Sequence, residues 1–273
     1  MKRFSSKLFL AAAVGITFGI GAKSLLTPQA NAADTTKAAT KADGTTKADG
    51  TARQTAHPWT GSPYGPGDDF EAATRAQTLR IEQVMDELKM TSGTRVGDIG
   101  AGGGWFSMIA ARRVGPKGRV YAEDILPKFT QFIARRARRA GFKNVRPILG
   151  TFTDPKLPAN TLDAVLILNA YHEFEQPLAM LRHIRAAMRP GARLAFIERD
   201  DDALRQTATE AIAQTGAAKH RVDERPDGKE WTDDHRLALP IVEQESARAG
   251  FNKVTSFDLG DDHYLLVVQK PLH

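Results

Sequence analysis

The feature that most constrains this chain is a glycine-rich stretch at 96–104, which reads VGDIGAGGG. An apolar run ends in Asp98, and glycines follow at Gly100, Gly102 and Gly104. Glycine permits backbone angles and close approaches that side chains forbid, so a strand can turn sharply here. The helix that follows such a turn offers free backbone amides to a carboxylate. The stretch therefore predicts a strand, a loop beneath a nucleoside and a helix.

The glycine spacing separates two kinds of nucleoside-binding loop. A dinucleotide fingerprint, G-x-G-x-x-G, needs a third small residue at position 105, where the helix packs closely on the strand. This chain has Trp105 there. Its pattern, D-x-G-x-G-x-G counted from Asp98, resembles the cofactor loop of class I methyltransferases. That resemblance implies S-adenosylmethionine (SAM) as co-substrate and makes a nicotinamide-dependent oxidoreductase the less favoured alternative.

Short apolar runs that alternate with amphipathic stretches predict an α/β fold. The predicted strands are 95–99, 119–123, 145–149, 162–168, 192–198, 253–258 and 263–268; the predicted helices are 68–89 and about 105–113, 127–140, 177–188, 203–218 and 237–249. The βαβα order of the first five strands favours a parallel sheet covered on both faces. The last two strands predict an antiparallel hairpin, which also closes the sheet of class I methyltransferases. We therefore expect a single doubly wound, mostly parallel seven-stranded sheet with helices on both faces.

The N-terminal end has the composition of a secretory signal. Three basic residues within the first seven precede an apolar run at 8–22, and small residues follow at 30–32. This order predicts a signal peptide at 1–32 and export to the periplasm or beyond. The apolar run is shorter than the ~20 residues of a membrane-spanning helix. An uncleaved membrane anchor is the alternative interpretation.

The next segment, 33–56, is polar and contains a near-repeat of the sequence KADG. It lacks aromatic and branched aliphatic residues, so it cannot bury enough apolar surface to offset the entropy of ordering. We predict a disordered linker here and a methyltransferase-like domain at 57–273.

Charge and cysteine content exclude some function classes. The formal net charge is +6, but residues 1–32 contain four basic residues and no acidic ones. The rest of the chain therefore carries a net charge of only +2. The arginine-rich run at 135–139 is interpreted as the solvated face of a helix, so we expect no nucleic-acid partner. The chain has no cysteine, which excludes disulfides and a lipid anchor on cysteine.

The methyltransferase resemblance assigns cofactor contacts to residues at the ends of four strands. These are Asp98, Gly100, Ala101, Gly102 and Gly104 in the first loop, Asp124 and Ile125 after the second strand, Thr151 and Phe152 after the third, and Asn169 after the fourth.

Two of these assignments left alternatives. Asp124, which precedes an apolar residue as in the family, is expected to accept the ribose hydroxyls, whereas Glu123 would point to the opposite face of a regular strand. Many relatives carry an acid where this chain has Thr151. Thr151, Phe152 or Asp154 could supply the adenine contacts instead, or the segment could be only a turn.

The chemistry is expected beyond the fourth strand, where 169–174 reads NAYHEF. Methyl transfer from a sulfonium mainly needs orientation, and a base is required only when the acceptor carries a proton to be lost. We predict that His172 acts as general base or orients the acceptor, with Tyr171 or Glu173 positioning it. Alternatively, His172 caps the strand end and Glu173 faces solvent.

Further residues could line the acceptor pocket or act as caps, namely Glu198 and the segment 234–236. The paired acids of a metal-dependent catechol-type enzyme and the Asn/Asp-Pro-Pro-aromatic motif of base-amino enzymes are both missing after the fourth strand. We therefore expect no metal and a small-molecule or lipid-like acceptor. Because export separates the protein from cytoplasmic SAM, an exported, non-catalytic binding protein is the alternative function.

Overall fold

The computed structural model describes residues 69–216 and 235–273, with side chains from residue 74 onward. The predicted signal peptide at 1–32 and the predicted linker at 33–56 lie outside these ranges. Within them, no helix combines the length and the apolar character needed to cross a membrane.

The described residues alternate between strands and helices. The helices are α1 (Asp69–Thr78), α2 (Ile81–Glu87), α3 (Trp105–Val114), α4 (Pro127–Arg139), α5 (Pro177–Ala187), α6 (Asp202–Thr215) and α7 (Leu239–Arg248). The strands are β1 (Arg95–Ile99), β2 (Arg119–Asp124), β3 (Val145–Leu149), β4 (Leu162–Leu168), β5 (Met188–Arg199), β6 (Asn252–Gly260) and β7 (His263–Gln269). A short 3₁₀ turn, Tyr171–Glu173, follows β4.

The strands form one seven-stranded sheet in the order β3-β2-β1-β4-β5-β7-β6. Strands β1 to β5 are parallel, and β7 runs antiparallel to both β5 and β6. The predicted fold class is therefore confirmed, including the closing hairpin. The strand order reverses between β1 and β4, and in open α/β sheets the ligand crevice lies at the carboxyl ends of the strands beside such a reversal.

The core explains why β4 is an almost continuous apolar run. Helices α2 and α3 pack on one face of the sheet, and α5, α6 and α7 contribute to the core on the other face. Val96, Ala164 and Val165 are completely buried between these layers. A central parallel strand covered on both faces loses the polar–apolar alternation of an exposed strand.

Two predicted boundaries were wrong. The predicted helix 68–89 is divided into α1 and α2, because Arg80 adopts a left-handed backbone with φ of 45° that no helix interior accepts. Strand β5 begins at Met188 rather than at Ala192, since Met188 pairs with Leu162 before a register shift in the β4–β5 ladder. Hydrophobic periodicity reports only which residues are buried. The residues beside the helix break and at the start of β5 are buried, so the sequence pattern showed neither the break nor the earlier start of the strand.

Candidate functional site

The glycine loop after β1 is packed tightly against two neighbouring segments. A Cβ added to Gly100 would lie 2.5 Å from the Cβ of Ala170, and one added to Gly104 would lie 2.9 Å from Ile133 Cγ1. Both glycines have positive φ, 67° and 73°, which other residues adopt only with strain. The loop therefore touches the segment beyond β4 on one side and α4 on the other. This contact brings the predicted cofactor loop next to the predicted catalytic segment.

Two acids from the end of β2 bind the amides of this loop. Gly102 N donates to Asp124 Oδ2 at 2.9 Å, and Gly100 N donates to Glu123 Oε2 at 3.3 Å. Asp124 Oδ1 also accepts from Leu126 N at 2.8 Å. Asp124 therefore links the glycine loop to the start of α4. Glu123 was expected on the strand face opposite Asp124, and for that reason it was not assigned to the loop. Both carboxylates nevertheless bind the loop, because the loop folds over the end of the strand and meets side chains of both faces.

The third acid, Asp98, lies below the loop and is almost completely buried. Its Oδ2 accepts a hydrogen bond of 2.5 Å from Ser107 Oγ on α3. Asp98 thus holds the first turn of α3 against β1.

Burial and mutual repulsion disfavour the ionised forms of these acids. Burial raises the pKa of Asp98 to about 7; the Ser107 hydrogen bond opposes this shift and the charge of Asp124 adds to it. Burial likewise raises the pKa of Glu123 to about 8, opposed by the Gly100 amide and increased by its acidic neighbours. The pKa of Asp124 is raised from its usual value, again by burial first. A positively charged ligand placed here would favour the ionised carboxylates.

These pKa shifts predict that the folded protein is less stable at higher pH. A folded-state pKa above the unfolded value means that the native state holds more protons between about pH 4 and 8, so stability falls as pH rises through this window. The free energy of unfolding falls by about 1.4 kcal/mol per pH unit for each group that is protonated in the folded state and ionised in the unfolded state. Denaturant unfolding from about pH 5.5 to 8.5 measures this slope. Glu123→Gln is expected to reduce it, and Glu175→Gln, an exposed glutamate change, is the matched control.

Three buried polar atoms around the loop have no hydrogen-bond partner among the described residues. They are Glu123 Oε1, Asn169 Oδ1 and Trp105 Nε1. Buried polar atoms are satisfied in the great majority of cases, so such a cluster indicates groups that a ligand serves. The ammonium and hydroxyl groups of SAM could donate to the oxygens of Glu123 and Asn169, and its carboxylate could accept from Trp105 Nε1. The residues present therefore fit this co-substrate.

The segment after β3 forms a closed turn. Thr151 Oγ1 accepts from Asp154 N at 3.0 Å and donates to Asp154 O at 3.1 Å. Gly150 lies so close to Glu123 that an added Cβ would be 1.8 Å from Oε1. The hydroxyl of Thr151 thus stabilises its own turn, which favours the interpretation as a turn, while Phe152 and Ile125 are both half-buried.

The segment beyond β4 is held by Glu198, the buried carboxylate near the end of β5. Glu198 Oε1 accepts from Ala170 N at 3.0 Å and from Tyr171 N at 2.6 Å. Asn169, with φ of 47°, makes the bend that lets these amides turn toward β5. Its Nδ2 lies 3.4 Å from His263 Nε2 on β7. The sequence suggested Glu198 only as a pocket or capping residue; the structure places it beneath the whole turn.

The same carboxylate orients His172. Glu198 Oε2 lies 2.7 Å from His172 Nδ1, and because a carboxylate only accepts, Nδ1 donates its proton to Glu198. In the neutral ring, Nε2 then carries the lone pair. Glu173 Oε1 lies 3.7 Å from that Nε2. Glu198 was thus the positioning residue that sequence reasoning missed. Because β4 and β5 are adjacent and parallel, the predicted sheet itself contained the signal that their carboxyl ends meet.

Tyr171 does not share this site. Its ring is completely buried, it packs edge-on against Phe196 with ring centroids 5.0 Å apart, and its hydroxyl donates to Glu245 Oε2 at 2.8 Å. Burial raises its pKa well above the usual value, with the Glu245 charge adding to the shift. The predicted catalytic role of Tyr171 is therefore corrected to a structural one: successive residues of the tight turn point in different directions, and this one points into the core.

A family model described as "Methyltransferase domain" matches residues 90–258 of this chain, which is more than half of its length. The matched region includes the glycine loop, the acids at the end of β2 and the turn that carries His172.

Curated proteins resemble part of the chain. A protein-L-isoaspartate O-methyltransferase of Pyrococcus horikoshii is 32% identical over 111 residues, which are 41% of this chain and 47% of that protein. A demethylmenaquinone methyltransferase of Listeria welshimeri is 26% identical over 117 residues, or 43% and 50% of the two chains. The matches to the curated relatives span about half of those proteins.

Solved structures share the fold over a larger region. A SAM-dependent methyltransferase from Aquifex aeolicus aligns over 74% of this chain and 98% of its own with a TM-score of 0.57 and 22% identity. The [4+2]-cyclase SpnF aligns over 74% and 83% with a TM-score of 0.56 and 16% identity. The fold is thus shared with proteins of more than one activity.

Proposed function

The chain belongs to the family of class I SAM-dependent methyltransferases, and we propose that it transfers a methyl group from SAM to a small-molecule or lipid-like acceptor. One observation carries the proposal. The glycine loop is fixed by Asp124 and Glu123 at the strand edge where such folds bind ligands, and buried polar atoms without described partners surround it. These groups suit the donors and the carboxylate of SAM.

Different residues at the glycine loop would bind different groups of SAM. Gly102 and Gly104 hold the positive-φ turn that starts α3, whose first amides can receive the carboxylate of SAM. Asp124 is the acid for the ribose hydroxyls, because it lies at the carboxyl end of β2 and is fixed by two amides. The bound sulfonium supplies an activated methyl group.

The acceptor end of the site is built around His172. An acceptor lone pair attacks the methyl carbon, the carbon–sulfur bond breaks, and its electron pair leaves on sulfur. With Nδ1 fixed by Glu198, the Nε2 lone pair of His172 can take the acceptor's proton or orient the acceptor. A carboxylate–imidazole pair of this kind fixes the orientation of the ring.

The His172–Glu198 pair favours some classes of methyl acceptor over others. The relatives are named for two acceptors, protein L-isoaspartate and demethylmenaquinone. A carboxylate acceptor is already ionised at neutral pH and needs no base. A fixed histidine base is useful for an acceptor that loses a proton, such as a hydroxyl or an acidic carbon. We therefore favour a small or lipid-like acceptor of that class.

Calorimetric titration of the purified protein with SAM and, separately, with NAD tests the cofactor assignment. We expect SAM to bind at micromolar concentrations and NAD not to bind; the opposite result would contradict the proposal. The release of S-adenosylhomocysteine in the presence of demethylmenaquinol, simple phenols or an isoaspartyl peptide then tests turnover and acceptor class. SAM binding without turnover on any acceptor would favour the alternative of a binding protein.

We further propose that the protein is exported, on the sequence of 1–32 alone. Fusing residues 1–40 to alkaline phosphatase, which is active only after export, is expected to give activity well above that of a fusion lacking 1–32. Replacing the three basic residues of the first seven by glutamine is expected to reduce export. Equal activity with and without 1–32 would contradict the proposal.

A further inference from the structure

Three side chains able to bind a metal meet beside the proposed acceptor position. His172 and Glu173 lie in the turn after β4, and His235 lies just before Arg236, which forms a parallel bridge with Arg199 at the end of β5. The rings of the two histidines are 5.2 Å apart between centroids. One ligand atom from each of the three residues lies within 4.8 Å of the others.

The tertiary structure holds the two histidines in this position. Leu237 N donates to Arg199 O at 2.7 Å, and Arg236 forms ion pairs with Asp201 at 2.5 Å and with Asp262 at 3.0 Å. The backbone that carries His235 is therefore tied to the end of β5. On the other side of the cluster, Glu198 fixes the turn that carries His172. The cluster thus depends on contacts between segments, not on one mobile side chain.

Glu198 also gives His172 the orientation that metal ligands have. A ligating histidine usually donates its second ring proton to a carboxylate, which fixes the ring and strengthens the ligand. His172 Nδ1 lies 2.7 Å from the fully buried Glu198 Oε2. The Nε2 lone pair is then directed toward the side of Glu173, whose Oε1 lies 3.7 Å away.

We propose that His172, Glu173 and His235 bind a divalent transition-metal ion such as Zn²⁺, with Glu198 as the carboxylate that orients His172. Two imidazoles and one carboxylate suit Zn²⁺, Fe²⁺ or Ni²⁺ better than Mg²⁺ or Ca²⁺, which prefer oxygen ligands. Ligand atoms about 2.1 Å from Zn²⁺ in a tetrahedral site lie about 3.4 Å apart. His172 Nε2 and Glu173 Oε1, at 3.7 Å, are already close to this separation, and the exposed Glu173 side chain has room to rotate.

The proposal deepens the methyltransferase function and rests on it for the role of the metal. A site with three protein ligands leaves a position for a further oxygen. An acceptor hydroxyl bound there would release its proton to solvent, and its oxygen would attack the methyl carbon as the carbon–sulfur electron pair leaves on sulfur. His172 then serves as a ligand, and the metal lowers the pKa of the hydroxyl. The acceptor class becomes molecules that coordinate through oxygen.

This proposal revises the expectation of no metal. That expectation rested on the missing paired acids of catechol-type enzymes. A His-Glu-His set uses other donors, and its third ligand lies far along the chain from the other two, so no spacing motif could reveal it.

Metal binding is tested on the full chain after treatment with a chelator. Calorimetric titration with ZnCl₂ and elemental analysis after dialysis are expected to give one equivalent of Zn²⁺. His235→Ala is expected to weaken Zn²⁺ binding about 100-fold, and Glu173→Gln about 10-fold or more. His183→Ala, which removes an exposed histidine of α5, is the matched control and is expected to bind Zn²⁺ normally.

Thermal melting of each variant separates loss of a ligand from loss of the fold, and Glu173→Gln decides the question should His235→Ala unfold. A wild-type protein without bound Zn²⁺, or equal Zn²⁺ binding by a folded His235→Ala or by Glu173→Gln, would overturn the proposal. SAM titration of the same samples is expected to change less than about threefold. Absence of SAM binding would contradict the proposed function and leave the metal result intact.

Discussion

Asp124→Ala is expected to weaken SAM binding about 100-fold or more, because this carboxylate holds the glycine loop and is the proposed partner of the ribose hydroxyls. It accepts hydrogen bonds from Gly102 N at 2.9 Å and Leu126 N at 2.8 Å. A hydrogen bond to a charged group contributes about 1.5–3 kcal/mol. Loss of about 2.7 kcal/mol corresponds to 100-fold in affinity. Calorimetric titration with SAM measures the change directly.

Asp163 provides a matched control at the opposite edge of the sheet. It lies near the amino end of β4, where its carboxylate accepts from Arg95 N at 2.8 Å and pairs with Arg189 at 2.7 Å. Asp163→Ala therefore removes a carboxylate with similar partners far from the ligand-binding edge. SAM affinity is expected to remain within about twofold. Equal loss in the two variants would mean that Asp124 acts only through general stability, and normal binding by Asp124→Ala would remove it from the site.

His172→Ala is expected to reduce turnover about 1000-fold while SAM affinity changes less than threefold. The side chain is 10% exposed, it is fixed by Glu198, and it lies in the turn that packs against the glycine loop, where it can reach an acceptor. Positioned proton transfer contributes about 10²–10⁴-fold to rate. The same loss is expected if the ring holds a metal, because both roles use Nε2. Release of S-adenosylhomocysteine at saturating SAM, with whichever of the test acceptors supports turnover by the wild-type protein, measures the effect.

The separation of turnover from binding is the decisive part of this result. His183→Ala, which changes an exposed histidine, is expected to keep both at wild-type levels. A His172→Ala protein that retains wild-type turnover would show that the ring only caps the end of β4. Equal losses in turnover and in SAM affinity would place it in cofactor binding instead.

Much of the fold was predictable because its signals are local. The glycines of the β1–α3 loop, the apolar strands and the closing hairpin each leave a pattern in a few consecutive residues. The break at Arg80 and the early start of β5 at Met188 were not predicted, because the residues on either side remain buried. The spacing of buried residues along the chain shows whether a segment is a helix or a strand. A kink or a bulge, in contrast, depends on contacts with the neighbouring element.

The site was only partly predictable for the same physical reason. Glu123 was not assigned to the loop, since a regular strand alternates its side chains and the sequence did not show that the loop folds over the end of the strand. Tyr171 and His172 are adjacent in the sequence, yet one is directed into the core and the other toward Glu198. The direction of a side chain in a tight turn depends on which partner the fold presents to it.

By itself, the sequence determined the parallel sheet, its closing hairpin and the cofactor loop after β1, because hydrophobic period and glycine spacing act over a few residues. Only the tertiary structure placed Glu198 under His172 and brought His235 beside them, residues separated by dozens of positions in the chain. Their meeting depends on the order of β4, β5 and β7 in the sheet and on the bridge at Arg236. Contacts between distant segments create that arrangement, and no local pattern encodes it.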